Sequence, residues 1–172
     1  MISNRDRTAI HEISQIENQS QIRYGIRFLK NWILERIAAS FPIPSVRVKL
    51  HRMRGINIGK EVYIGYDVIF DRIHPEYITI EDYAEIGDRC IISAHQRGTK
   101  TLMDKYPRTV KPVRIGRGAW MAPGCIVIQG VDIGENSVIG TGSVVLWDIP
   151  AGTVVMGNPA RPMKKLGRVS ED

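Results

Sequence analysis

Four histidines, His11, His51, His74 and His95, are the side chains best able to move a proton near neutral pH, because an imidazole titrates close to 6.5. They lack the short, regular spacing of metal ligands, so no metal site is expected. Neither cysteine, Cys90 or Cys125, and no serine stands in a nucleophile-elbow motif, which leaves no sign of a covalent route. His95 is distinguished by its address. It closes the run Ile91-Ile92-Ser93-Ala94 and stands at the root of a seventeen-residue segment, Gln96 to Pro112. That segment carries Arg97, Lys100, Lys105, Arg108 and Lys111 against one acid, Asp104. A loop of this length in a compact domain is usually functional, and a neutral imidazole at its mouth suits removal of a proton from a hydroxyl.

What must position His95 is a period of six. Ile115, Met121, Val127, Ile133, Ile139 and Val145 recur at every sixth position, and four places after each comes a compact residue: Ala119, Cys125, Val131, Ser137, Ser143, Ile149. The same register holds in two earlier blocks, Ile58-Ile64-Phe70 and Ile80-Ile86-Ile92. Neither an α-helix nor a plain strand has this period. It is the signature of hexapeptides wound as a parallel β-helix, with the aliphatic residues inside and Gly relieving the corners. Twelve hexads make four coils of three, and both breaks in phase fall after a complete coil. One break is the short insertion around His74-Pro75-Glu76-Tyr77; the other is the long loop after His95. Adjacent coils lie ~4.8 Å apart. The hexad below that of His95 begins at Phe70, so Asp71 and His95 are expected to share one site. His74 is near in the same sense, with its direction open.

At 172 residues, 43% of them hydrophobic, the chain can fill one core. Both cysteines fall at compact inward positions and read as reduced core residues of a cytoplasmic protein. The polar start lacks the apolar stretch of a secretory signal, and no apolar run approaches the ~20 residues of a membrane span. Residues 1–54 hold ten Lys/Arg against four acids, and the remainder fourteen against fourteen, so the whole excess of +6 precedes the repeats. Ile22, Ile26, Leu29, Ile33 and Ile37 predict an amphipathic helix from about Gln21, ending near Ser40 because Pro42 and Pro44 follow. This helix either packs on the repeats or on a partner subunit, or touches an anionic membrane at residues 20–40 as a peripheral contact. The core does not require it. Val46-Arg47-Val48-Lys49-Leu50 alternates and predicts a strand covering the open end of the first coil. The basic run lacks interleaved aromatics, so nucleic acid is not expected. The expected organisation is a helix-and-strand extension over 1–54, the repeat domain with its tail over 55–167, and a disordered end over 168–172.

The run Ile91 to His95, the long loop, and then Lys111-Pro112-Val113-Arg114-Ile115-Gly116-Arg117-Gly118-Ala119-Trp120-Met121-Ala122 resemble the hexapeptide-repeat acetyltransferases. Closest are the galactoside, maltose and nodulation types and the acyltransferases of surface-polysaccharide assembly. Asp148-Ile149-Pro150-Ala151-Gly152 and Gly157-Asn158-Pro159-Ala160-Arg161 are similar to their endings. The resemblance implies an all-β, left-handed parallel β-helix that works as a homotrimer, with each active site between two prisms. It implies acetyl-CoA as acyl donor and His95 as general base on an acceptor hydroxyl. Asp71 would orient His95 or bind the acceptor. Trp120 would lie beside the pantetheine arm, Ala122, Gly140 and Thr141 along the strip whose backbone meets CoA, and Arg161 and Lys164 at its phosphates. The basic N-terminal segment resembles the polysaccharide-assembly enzymes, which implies a sugar or glycolipid acceptor.

The expected activity is therefore O-acetylation of a sugar. N-acetylation of an amino or nucleotide sugar needs the same base. A zinc-dependent γ-carbonic-anhydrase-like protein needs three converging histidines, and at most two lie near the right edge. A non-catalytic β-helix gives no reason for a loop rooted at His95.

Overall fold

The computed structural model describes residues 20–167. Two helices come first, α1 (Gln21–Ser40) and α2 (Pro44–Arg54). Strands follow, most of them two residues long and ending on the aliphatic member of a hexad. They are β1 (Asn57–Ile58), β2 (Tyr63–Ile64), β3 (Ile69–Phe70), β4 (Ile78–Ile80), β5 (Glu85–Ile86) and β6 (Ile91–Ile92). After the hairpin β7 (His95–Gln96) and β8 (Thr109–Val110) come β9 (Val113–Ile115), β10 (Trp120–Met121), β11 (Ile126–Val127), β12 (Asp132–Ile133), β13 (Val138–Ile139) and β14 (Val144–Val145). The chain closes with β15 (Thr153–Met156) and β16 (Arg161–Lys165).

Successive strands enter three parallel sheets in rotation. The first sheet orders β1-β4-β9-β12, the second β2-β5-β10-β13-β15-β16, and the third β3-β6-β11-β14. Only β16 runs antiparallel within them, against β15. The inward residues align rung on rung: Phe70 with Ile92, Ile92 with Val127, Val127 with Val145. All twelve hexad leaders are buried, and with the compact residues they form one core.

The corners differ in detail from the expectation. A left-handed residue stands three places after nine of the twelve leaders, and it need not be Gly: Glu61, Asp67, Tyr83, Arg89 and Asn136 have φ of 50–61°. Gly immediately after the leader serves a different purpose. A Cβ on Gly116 would lie 2.7 Å from the Ile133 carbonyl oxygen, so the next coil leaves no space for a side chain.

Residues 44–54 are a correction. Instead of a strand at Val46–Leu50, the chain forms α2, opened by Pro44 and closed by Gly55 at φ 109°. Its buried residues are Arg47, Val48, His51 and Arg54, at helical rather than alternating spacing. The open end is still covered, by arginines. Arg52 Nε donates to the Ile58 carbonyl at 3.1 Å, Arg47 Nε to that of Ile64 at 2.8 Å, and Arg54 Nη2 to that of Phe70 at 3.3 Å. Arg52 Nη2 also donates to the Gly59 carbonyl. Each of the three edge strands thus has a carbonyl satisfied by a guanidinium, which closes edges that would otherwise recruit another strand.

α1 ends at Ser40 as the prolines require, with Ser20 as its N-cap. It lies over α2 through Tyr24, Asn31, Glu35 and Ala38, a mostly polar face. The aliphatic face, expected on the repeats, on a partner subunit or at a membrane, does not pack on the repeats and is exposed. Residues 1–19 of the expected extension, and the expected disordered end 168–172, lie outside the described residues.

Candidate active site

The repeat brings Asp71 and His95 into direct contact. Asp71 follows β3 and its N–H continues the ladder to the Ile92 carbonyl at 2.9 Å, so its backbone is fixed one coil below His95. The carboxylate is fully enclosed and accepts four hydrogen bonds. Oδ1 takes the N–H groups of Ile73 and His74, both at 2.9 Å. Oδ2 takes the N–H of Ala94 at 2.8 Å and His95 Nδ1 at 2.6 Å. Burial alone would raise the Asp71 pKa; the bonds from His95 and from the His74 and Ile73 amides outweigh it and hold the group down at about 2. The carboxylate is therefore ionised, and an ionised carboxylate accepts only. His95 Nδ1 must carry the proton, which leaves the Nε2 lone pair to act as base.

The long loop fixes the other side of His95. β7 and β8 pair antiparallel with His95 opposite Val110, and Lys111 N–H bonds the Ala94 carbonyl at 2.9 Å. The loop is a zipped hairpin at its root, and the His95 side chain stays 25% exposed at its mouth. His74 packs edge-on with ring centroids 5.7 Å apart. Arg108 Nη2 lies 3.3 Å from His74 Nε2, and because a guanidinium only donates, His74 holds its proton on Nδ1, 3.7 Å from Glu76 Oε1.

Beneath the pair lies a support invisible in the motif. Arg54 Nη2 donates to the Asp71 carbonyl at 3.1 Å and to Glu35 Oε2 at 3.0 Å. Glu35 also receives Arg72 Nε at 3.0 Å. The arginine and glutamate side chains are 0% and 5% exposed. Glu35 could have been suspected from sequence as the lone acid among the eight Lys/Arg of residues 20–54; Arg54 carried no signal. Gln129, one coil above Ala94, was also not foreseen. Its Nε2 bonds Thr109 Oγ1 at 2.7 Å, and its buried Oε1 has no partner among the described residues.

The remaining predicted residues are not brought to His95 within one chain. Trp120 is half exposed on β10 in the second sheet, between Glu85 and Val138. Ala122 and Gly140 stack one coil apart where the second sheet turns into the third, beside the exposed Thr141. A Cβ on Gly140 would sit 2.8 Å from that of Met156, so this strip presents backbone. Arg161 and Lys164 are exposed on β16 at the end of the same second sheet, with the Arg161 guanidinium 4.5 Å over the Trp147 ring. The third sheet separates all of them from His95. A polar groove of about 550 Å³, lined by Asn57, Glu81, Asp82, Arg117 and Glu135, lies on the first sheet and contains no histidine. Among the described residues no group of three or more His, Cys, Asp or Glu is placed to hold a metal ion. No helix among them is long and apolar enough to cross a membrane.

Residues 112–146 match the family described as bacterial transferase hexapeptide (six repeats). Putative acetyltransferase C18B11.09c of Schizosaccharomyces pombe is 49% identical over 55 residues, 32% of this chain and 27% of its own length. The chain thus spans about a quarter of that relative. Putative acetyltransferase YvoF of Bacillus subtilis is 28% identical over 159 residues, 90% of this chain and 89% of its own. Among solved structures, a hexapeptide-repeat acetyltransferase of Vibrio cholerae complexed with acetyl coenzyme A is 24% identical, with a TM-score of 0.70 over 84% of this chain and 89% of that one. A maltose O-acetyltransferase from Clostridium difficile is 24% identical, with a TM-score of 0.64 over 80% and 85%. The chain carries the bacterial transferase hexapeptide repeat and has the fold of the hexapeptide-repeat acetyltransferases.

Proposed function

We propose that this chain is an acetyl-CoA-dependent O-acetyltransferase acting on a sugar or glycolipid hydroxyl, with its three sheets wound as a left-handed β-helix. The observation that carries the chemistry is the 2.6 Å contact between His95 Nδ1 and a carboxylate that cannot readily be protonated. Nε2 removes the proton from the acceptor hydroxyl as its oxygen attacks the thioester carbonyl. Backbone N–H groups hold the oxyanion of the tetrahedral intermediate, and Asp71 stabilises the imidazolium. Collapse breaks the C–S bond, the imidazolium returns its proton to the CoA sulfur, and the acetyl ester and free thiol leave.

The donor is held elsewhere on the surface: Trp120 against the pantetheine arm, Ala122, Gly140 and Thr141 along it, Arg161 and Lys164 at the phosphates. Because the third sheet separates these residues from His95 in one chain, the site is completed between copies, the strip of one facing the His95 corner of the next in a homotrimer. The test is a turnover screen with acetyl-CoA over mono-, di- and nucleotide sugars, with His95→Ala as the blank. The variant should lose ~10²–10⁴ in rate with CoA affinity unchanged; near-normal turnover in it would falsify the base assignment.

A further inference from the structure

We propose that the outward face of α1 docks the protein on an anionic lipid surface. The helix is mounted with its polar side inward. Tyr24, Asn31, Glu35 and Ala38 are buried, while Ile22, Ile26, Leu29, Ile33 and Ile37 stand 77%, 66%, 56%, 43% and 45% exposed. At 100° per residue these five lie within about 80° of one another and opposite the buried set. An aliphatic ridge of that length is not left to water without an occupant.

Charge selects the occupant. Arg23 and Lys30 flank the ridge on one side and Arg36 on the other, with Phe28 and Trp32 on the shoulder beyond Arg36. Residues 20–54 contain one acid, Glu35, and it is buried between Arg54 and Arg72. Two copies meeting ridge to ridge would bring basic flanks together with no acid on either helix to pair with them. An anionic bilayer complements both parts: the acyl boundary takes the ridge and aromatics, and the headgroups take the bases. The helix lies in the surface, since it is not apolar enough to cross. Docking would also orient the chemistry, because Arg27 Nη2 bonds the Ile73 carbonyl at 3.5 Å and Glu35 holds Arg72, both in the segment leading from Asp71.

Flotation of the full-length protein tests this with vesicles of phosphatidylcholine and phosphatidylglycerol, against phosphatidylcholine alone. The protein should float with the anionic vesicles only and be released by salt. Ile26→Ser/Ile33→Ser and Arg23→Gln/Arg36→Gln should each lower partitioning about tenfold or more, with unchanged circular-dichroism melting and sedimentation. Wild-type protein that ignores anionic vesicles overturns the proposal, and so does vesicle binding that survives Ile26→Ser/Ile33→Ser. A serine variant that dissociates an oligomer while the parent binds no vesicles assigns the ridge to a second copy instead.

Discussion

Asp71→Asn keeps the shape of the side chain and removes its charge. The carboxylate accepts two hydrogen bonds on each oxygen, whereas an amide has one oxygen and one NH₂. If the NH₂ replaces Oδ1, it faces the Ile73 and His74 N–H groups and strands both, each worth about 1–3 kcal/mol when buried. If it replaces Oδ2, only the Ala94 N–H is stranded, because His95 can respond by moving its proton to Nε2 and accepting from the amide at Nδ1. The second arrangement costs one orphan fewer, so it should dominate. It also puts the proton on the nitrogen that must be the base. The rate should then fall by ~10²–10⁴, about as far as in His95→Ala, while KM for acetyl-CoA holds.

Two readouts check this. A chromogenic disulfide follows CoA thiol release, and ¹⁵N NMR of the His95 ring reports its tautomer. Near-normal kcat with the proton still on Nδ1 would refute the reasoning, since Asp71 would then be neither setting the tautomer nor stabilising the imidazolium. In the parent protein the Asp71 contribution to stability should survive to low pH. With a folded pKa near 2 against an ordinary 3.8, it is complete above about 3.8 and lost as pH falls through 2, an effect of roughly 2 kcal/mol.

Three further outcomes follow from the packing. Glu35→Ala should cost about 3 kcal/mol in denaturant unfolding, because it leaves Arg54 buried with no carboxylate, only carbonyl oxygens and the His51 ring nitrogen as partners; a loss under about 1 kcal/mol would show those neutral acceptors suffice. Burial, then Arg54 and Arg47, hold the His51 pKa down at about 3 from an ordinary 6.5. The unfolded chain therefore takes up that proton first, and stability should fall by about 1.4 kcal/mol per unit as pH drops from 6.5 toward 3, a slope that His51→Gln should remove. Sedimentation should give about three times 19.4 kDa, and a fully active monomer would overturn the shared cleft.

How much was legible follows from the range of the forces involved. The hexad register is written in sequence because every coil meets the same demand, an aliphatic leader at zero exposure or close to it, and each coil meets it independently. Register arithmetic then places Asp71 one coil below Ser93, two residues from His95. Residues 44–54 defeated the same logic. Val46-Arg47-Val48-Lys49-Leu50 alternates, yet three of the four side chains buried in this helix are polar, Arg47, His51 and Arg54 beside Val48, and polar groups are buried only where partners await them. For the two arginines those partners are the carbonyls of Ile64 and Phe70, seventeen and sixteen residues away and exposed only because the first coil has no coil beneath it. No local period encodes that. The outward aliphatic face of α1 shows the complementary limit: amphipathicity says that a face will be covered, and of the coverings expected here only packing on the repeats of the same chain is excluded.

The sequence also suggested that the repeats could dispense with the helix from Gln21, since twelve hexads complete four coils. The contacts argue otherwise for the site. Arg54 closes the edge of the third sheet at Phe70 and, through the same Nη2, holds the carbonyl of Asp71, the next residue. Glu35 of α1 neutralises that arginine and grips Arg72, which follows Asp71. The segment Phe70 to Arg72 is thus clamped from below by a helix pair and from above by the β3–β6 ladder. The carboxylate that fixes His95 hangs from its middle. A base held at 2.6 Å by a buried carboxylate needs that carboxylate located to a fraction of an ångström. The ladder alone fixes Asp71 only up to its N–H, beyond which the chain leaves the sheet for the His74 insertion. The helix pair is therefore part of what keeps the imidazole in its working tautomer, through Asp71 rather than by contact with the ring.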